Sequence, residues 1–199
     1  MLITSAEFVT SAARIEQCPP PGLPEFAFAG RSNVGKSSLL NTLMNRRRLA
    51  LTSATPGKTR LINFFRVNRR YLLVDLPGYG YARVAERERR SWRPMVEGYL
   101  AGRETLKAVG LLIDIRRDPG PEEELLLRWV ASRGVPAFVV ATKADKVSRN
   151  AQETRRSRIA AGLELDPEEV LLFSAKTRLG RKELWHVLAG YAAPEDERA

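Results

Sequence analysis

Eight consecutive residues, Gly30-Arg31-Ser32-Asn33-Val34-Gly35-Lys36-Ser37, have the types and spacing needed to hold a phosphate chain. The pattern GxxxxGK[ST] turns successive backbone N–H groups inward on an anion, and the helix that follows adds its partial positive N-terminal charge. Gly30 and Gly35 are expected to permit sterically unusual turns. Lys36 brings a full charge to β- and γ-phosphates, and Ser37 offers a hydroxyl to Mg²⁺. Ser38 continues into the helix and closes the set expected to touch the ligand.

Three later stretches could supply the rest of such a site. Asp75-Leu76-Pro77-Gly78 puts a carboxylate at the end of a strand, where it suits Mg²⁺, and Gly78 can offer its N–H to a γ-phosphate. In Thr142-Lys143-Ala144-Asp145, the Asp145 carboxylate can accept hydrogen bonds from guanine N1–H and the 2-amino group. Adenine presents neither donor, so a site of this kind discriminates by orders of magnitude. The Lys143 stem can lie along the base. In Phe173-Ser174-Ala175-Lys176, backbone N–H groups can meet guanine O6. Each tetrapeptide alone is a weak signal. Their order, each after an apolar run, gives them weight.

The elements that must position these residues are legible from periodicity. Glu25 to Ala29 reads as a buried strand of alternating bulk before the phosphate loop. Leu39, Leu40, Leu43 and Met44 fall on one side of the helix after it, which is expected to end near Arg46-Arg47-Arg48. Residues 61–67 and 71–76 read as strands of a hairpin joined by Asn68-Arg69-Arg70. Strands are expected at 108–115, 135–141 and 170–173, and helices at about 86–103, 122–132, 148–163 and 180–191. Residues 1–24 read as an extension with a short edge strand at 6–11, residues 25–193 as the ligand-binding domain, and 194–199 as a frayed tail. His186 reads as a surface residue.

The 199 residues suffice for one α/β domain. The N-terminus lacks the pattern of a secretory signal, no apolar run is long enough to span a bilayer, and Cys18 is the single cysteine, which fits a reducing cytoplasm. The net charge of +10 is unevenly placed. From Phe26 to Val74 there is no Asp or Glu, while ten basic residues lie there, Arg46, Arg47, Arg48, Arg66, Arg69 and Arg70 among them. Such a span is expected to meet a polyanion, RNA above all.

Taken together, GRSNVGKSSLLN, TSATPGKTRLINFF, DLPGYGYA and TKADK resemble the EngB group of bacterial GTPases, associated with assembly of the large ribosomal subunit. The similarity runs from Phe8 to about Leu188. It implies a Ras-like fold: a six-stranded, mostly parallel sheet with one antiparallel strand and helices on both faces. It implies GTP and GDP as ligands, Mg²⁺ held by Ser37, Thr59 and Asp75, and nucleotide contacts from Gly57, Lys58 and Thr59. Asn33, Lys36, Thr59 and Gly78 are then the residues expected at the hydrolysed bond, and about 49–61 and 77–93 the two switches. A large-subunit precursor would be the partner, met by a cytoplasmic monomer whose action is needed for growth and division.

Tyr79 stands where the hydrolytic template has a Gln that orients water, and a phenol cannot take both roles of an amide. Slow intrinsic hydrolysis is therefore expected. In related GTPases an Asn placed as Asn33 is here helps hold K⁺. The alternatives are a non-hydrolytic, guanine-gated RNA-binding factor, a nucleotide kinase, a purely structural RNA-binding protein, and a tRNA-modification GTPase, which would be expected to carry extra domains. A kinase would not need TKAD and SAK.

Overall fold

The computed structural model describes residues 1–51, 61–78 and 86–193, with the side chains of residues 86–93 outside that description. A seven-stranded sheet carries the site. In chain order its strands are β1 (Ala6–Ala12), β2 (Glu25–Gly30), β3 (Ile62–Val67), β4 (Tyr71–Asp75), β5 (Leu106–Asp114), β6 (Ala137–Thr142) and β7 (Val170–Leu172). Their spatial order is β1-β3-β4-β2-β5-β6-β7. Only β3 runs against its neighbours, pairing antiparallel with both β1 and β4. The other contacts are parallel. β2 to β7 are the six strands the resemblance implies, and the edge strand expected at 6–11 joins them as a seventh.

Among the described residues the α-helices are α1 (Lys36–Leu43), α2 (Glu86–Gly102), α3 (Pro121–Ala131), α4 (Arg149–Ala161) and α5 (Arg181–Ala192). The sequence alternation in β2 sorts the two faces of the sheet. Phe26 and Phe28 point into a core with Leu39, Leu40, Leu43, Trp185 and Leu188 of α1 and α5. Ala27 and Ala29 face a second core with Tyr99 and Leu100 of α2 and Val130 of α3. A third cluster seats Ile159 and Ala160 of α4 on β5 and β6. Every residue of β2 is buried, as a parallel strand covered on both sides must be.

The hairpin between β3 and β4 turns through Asn68 and Arg69, both at positive φ (51° and 54°). The Asn68 side chain accepts hydrogen bonds from the N–H groups of Thr4 (2.8 Å) and Ser5 (3.1 Å) and donates to the Leu2 carbonyl (2.7 Å). One amide thus fastens the start of β1 to the hairpin.

α1 stops at Leu43, short of the arginines where the sequence reading ends it. Arg46 donates its backbone N–H to the Asn41 carbonyl. Arg181 of α5 donates Nε to the Thr42 carbonyl at 2.7 Å, and Trp185 Nε1 reaches the Leu43 carbonyl at 3.2 Å. Side chains of another helix therefore satisfy the carbonyls that a helix end leaves unpaired.

At the far end of the sheet lies a buried carboxylate that the sequence reading passed over. Glu25, fully buried, accepts hydrogen bonds from Tyr99 OH (2.8 Å), Arg103 Nε (2.8 Å) and Thr105 Oγ1 (2.6 Å). This ties the C-terminal end of α2 to the first residue of β2. Burial above all, then the Glu25 charge and hydrogen bond, push the Tyr99 phenol well above its ordinary value.

Candidate functional site

Strand register brings the sequence motifs to one edge. Gly30 lies beside Leu112, Phe28 beside Asp75, and Asp114 beside Thr142, so β4, β2, β5 and β6 end together. The chain leaves β2 toward β3 and β4 on one side and later builds β5, β6 and β7 on the other. The end of β2 is thus the switch point of the sheet, the place where open α/β sheets bind ligands.

Residues 30–35 join β2 to α1 there. Gly35 precedes α1 with φ 107°, a conformation that favours glycine. Gly30 is needed for a different reason from the one expected. Its φ is not positive, but a Cβ at this position would stand 2.8 Å from the Leu112 carbonyl oxygen. The neighbouring strand, not the turn, excludes a side chain.

Lys36 is buried, and its ammonium is hydrogen-bonded to the buried Asp75 carboxylate. Ser37 follows on the first turn of α1. Gly78 comes close to the loop, since a Cβ on it would meet Ser32 N at 3.3 Å. Asp75, through Lys36, and Gly78, through Ser32, therefore lie beside the phosphate loop. The Arg31 guanidinium reaches the other way, to Glu122 at the start of α3 (3.2 Å). Gly57, Lys58, Thr59 and Tyr79 lie outside the described residues.

The stretch from Thr142 to Asp145 meets the same loop from β6. Thr142 Oγ1 donates to the Val34 carbonyl at 2.7 Å. Lys143 adopts a left-handed conformation (φ 59°), uncommon for a residue with a side chain. Two contacts hold it there: its Nζ donates to the Asn33 carbonyl at 2.7 Å and pairs with Asp114 Oδ2 at 3.0 Å. Asp145 is half-buried, and Ser174 Oγ donates to its Oδ1 at 2.7 Å. Ser174 Oγ also accepts from the Thr177 N–H at 3.2 Å. Ala144 donates its N–H to the Phe173 carbonyl at 3.0 Å. Phe173 is buried and Lys176 exposed, so of residues 173–176 Ser174 makes the side-chain link to Asp145.

Asp114 and Arg116 are the part of this edge the sequence reading missed. Arg116 donates Nε and Nη2 to the two oxygens of Asp114, at 2.9 and 2.7 Å. Burial, the largest influence, raises the Asp114 pKa, but the hydrogen bonds from Arg116 and Lys143 together outweigh it and hold the carboxyl well below its usual range. A usable signal was present: Asp114 ends a buried strand as Asp75 does. A cleft of about 400 Å³ opens here, with Ser32, Asn33, Asp114, Arg116 and Lys143 in its walls.

A glycine-bounded loop at the switch point, a buried lysine and aspartate beneath it, and a second loop offering a carboxylate define a phosphate-loop GTP-binding domain. The chain matches the 50S ribosome-binding GTPase family over residues 25–143. It is 56% identical to "Probable GTP-binding protein EngB" of Geobacter sulfurreducens, over 92% of this chain and 89% of that protein. The protein of the same name from Geobacter metallireducens is 51% identical over 100% and 98% of the two chains. The chain belongs to the EngB family of GTP-binding proteins. A solved structure named as a probable GTP-binding protein engB superposes with a TM-score of 0.69 at 23% identity, over 84% of this chain and 98% of that one. A point variant of Aquifex aeolicus Era bound to GDP·AlF4⁻ gives the same TM-score of 0.69 at 22% identity, over 86% of this chain and 57% of that one. At those identities the two structures speak for the fold. Among the described residues no helix is long and apolar enough to cross a membrane.

Proposed function

We propose that the chain is a GTP-hydrolysing switch that acts, as a cytoplasmic monomer, in assembly of the large ribosomal subunit. The observation that carries the nucleotide half is the buried Lys36–Asp75 pair at the switch point, on the same sheet edge as the Asp145 loop. The ribosomal half is supported by the family's description and by the basic span from Phe26 to Val74.

The residues work as follows. Backbone N–H groups from Gly30 to Ser38 cradle the phosphates, and the N-terminus of α1 favours their charge. Lys36 turns from Asp75 to the β- and γ-phosphates when these arrive. Asp75, Ser37 and Thr59 are the residues that would hold Mg²⁺. A buried carboxylate whose resting partner is a cation is a donor that fits Mg²⁺. When bound, Mg²⁺ neutralises charge across the β- and γ-phosphates. Gly78 offers its N–H to the γ-phosphate. Asp145 reads guanine, the Lys143 stem lies along the base, and backbone N–H groups of 174–176 reach O6. Asn33 would help hold K⁺, which would supply part of the electrostatic role of an arginine finger. Ordering of Thr59 and Gly78 by GTP couples the nucleotide to docking.

The test is co-sedimentation with large-subunit precursors in the presence of a GTP analogue, GDP or no nucleotide, at low and high salt. Salt-sensitive binding that depends on the nucleotide is expected. Indifference to both would remove the ribosomal half. Absence of phosphate release from GTP, with nucleotide-dependent docking intact, would favour the non-hydrolytic, guanine-gated factor.

A further inference from the structure

Exposed positive charge gathers at a corner of the molecule where α1 ends and α5 begins. Arg46, Arg47 and Arg48 follow α1 as three exposed residues in a row. Across from them stand exposed Arg178 and Lys182 and half-buried Arg181, whose guanidinium lies on the Thr42 and Leu43 carbonyls. Burial first, then the nearby Arg178 charge, lower the Arg181 pKa from its ordinary value. Among the described residues, no ion pair joins any of these six cations to a carboxylate.

The arginine turn is held in shape. Asn41, buried on α1, donates Nδ2 to the Ala50 carbonyl at 2.7 Å and accepts the Ala50 N–H on Oδ1 at 2.9 Å. Ala50 is fully buried and Leu49 packs against the same core. Both ends of the turn are therefore fixed, one by α1 and one by this amide pair. Three guanidinium groups are presented from a turn held at both ends. That lowers the ordering cost of binding.

We infer that this corner is a docking surface for the phosphate backbone of RNA. This rests on the proposed ribosomal function and says which face meets the RNA. Guanidinium forks suit phosphate oxygens better than lysine point charges do. The turn after α1, the turn before α5 and the first two residues of α5 form the surface, not one amphipathic helix, and its exposed leucines, Leu51 and Leu179, stand singly, which disfavours a membrane. In sequence the corner adjoins two stretches of the proposed nucleotide site. Leu51 leads into the segment with Thr59, and Arg178 lies four residues after Ser174.

The experiment measures binding of a fluorescein-labelled ribosomal RNA stem-loop by anisotropy across a salt series. It compares the wild-type chain, the triple variant Arg46→Ala/Arg47→Ala/Arg48→Ala, and a charge-matched control, Arg128→Ala/Arg133→Ala/Arg149→Ala. GDP binding checks that each variant is folded. The corner variant is expected to bind at least about 100-fold more weakly near 0.1 M salt and to lose about 2–3 from the log–log salt slope, with the control close to wild type. Equal losses in both variants, or none in the corner variant, would overturn the inference and leave the ribosomal reading standing. A wild-type chain that ignores the RNA, or prefers vesicles containing phosphatidylserine, would overturn both.

Discussion

Ser174 Oγ hydrogen-bonds Asp145 Oδ1 at 2.7 Å, so the loop after β7 fixes the carboxylate that stands after β6. The Ser174 side chain is fully buried and also receives the Thr177 N–H. Replacing Ser174 by alanine removes a hydrogen bond to a charged group, about 1.5–3 kcal/mol. Affinity for GDP should fall by roughly 10- to 100-fold. Titration with a fluorescent GDP analogue checks this, and an unchanged dissociation constant would sink the idea.

Acid should weaken the clamp around Lys143. Asp114 has its folded pKa depressed by Arg116 and Lys143 against the opposing effect of burial. A depressed carboxyl stabilises the fold above its unfolded pKa, about 3.9, and that stability is lost as pH falls through the lower folded value. The stability gap between wild type and Asp114→Asn should be widest near neutrality and shrink below about pH 4. Thermal melts over that range decide it; a gap independent of pH would contradict the assignment.

Glu25 should matter to the fold and not to the ligand. Glu25→Gln removes the charge that Arg103 meets at 2.7 Å in a site where both side chains are nearly inaccessible. Breaking a buried pair costs about 3–5 kcal/mol. Urea unfolding should show a lower midpoint with an unchanged slope, while GDP affinity of the folded fraction stays near wild type. A loss under about 1 kcal/mol would mean that Tyr99 and Thr105 carry the junction without the charge.

Asn33 has φ 62° and gives its carbonyl to Lys143, leaving its side-chain amide for another ligand. On the proposed role of Asn33 toward K⁺, GTP turnover should be faster in K⁺ than in Na⁺, and Asn33→Ala should abolish the difference. Equal wild-type rates in both salts would remove K⁺ from the account.

Much of this architecture was legible because periodicity and motif order agree. The alternating bulk of β2 announced a strand buried on both faces, and the structure sorts Phe26 and Phe28 from Ala27 and Ala29 accordingly. What escaped were contacts between residues far apart in sequence. Asn41 reads as an ordinary helix residue until Ala50 folds back on it. Glu25 reads as the polar start of a strand until Tyr99, Arg103 and Thr105 surround it. The end of α1 has a local part, Asn45 at φ 53°, and a distant one that the sequence does not show, the contacts of Arg181 and Trp185 of α5 with its last carbonyls. The requirement for Gly30 likewise lies in β5, through Leu112.

The reading of guanine by Asp145 is the centre of the account, and one exchange tests it. Asp145→Asn puts an amide N–H where the carboxylate presents oxygen, so the 2-amino group and N1–H of guanine meet a donor, while xanthine offers a carbonyl at C2. Titrations of wild type and variant with GDP, xanthosine diphosphate and ADP should show wild type preferring GDP by about 100-fold or more. The variant should lose GDP and gain xanthosine diphosphate. Undiminished GDP binding by the variant would contradict the account.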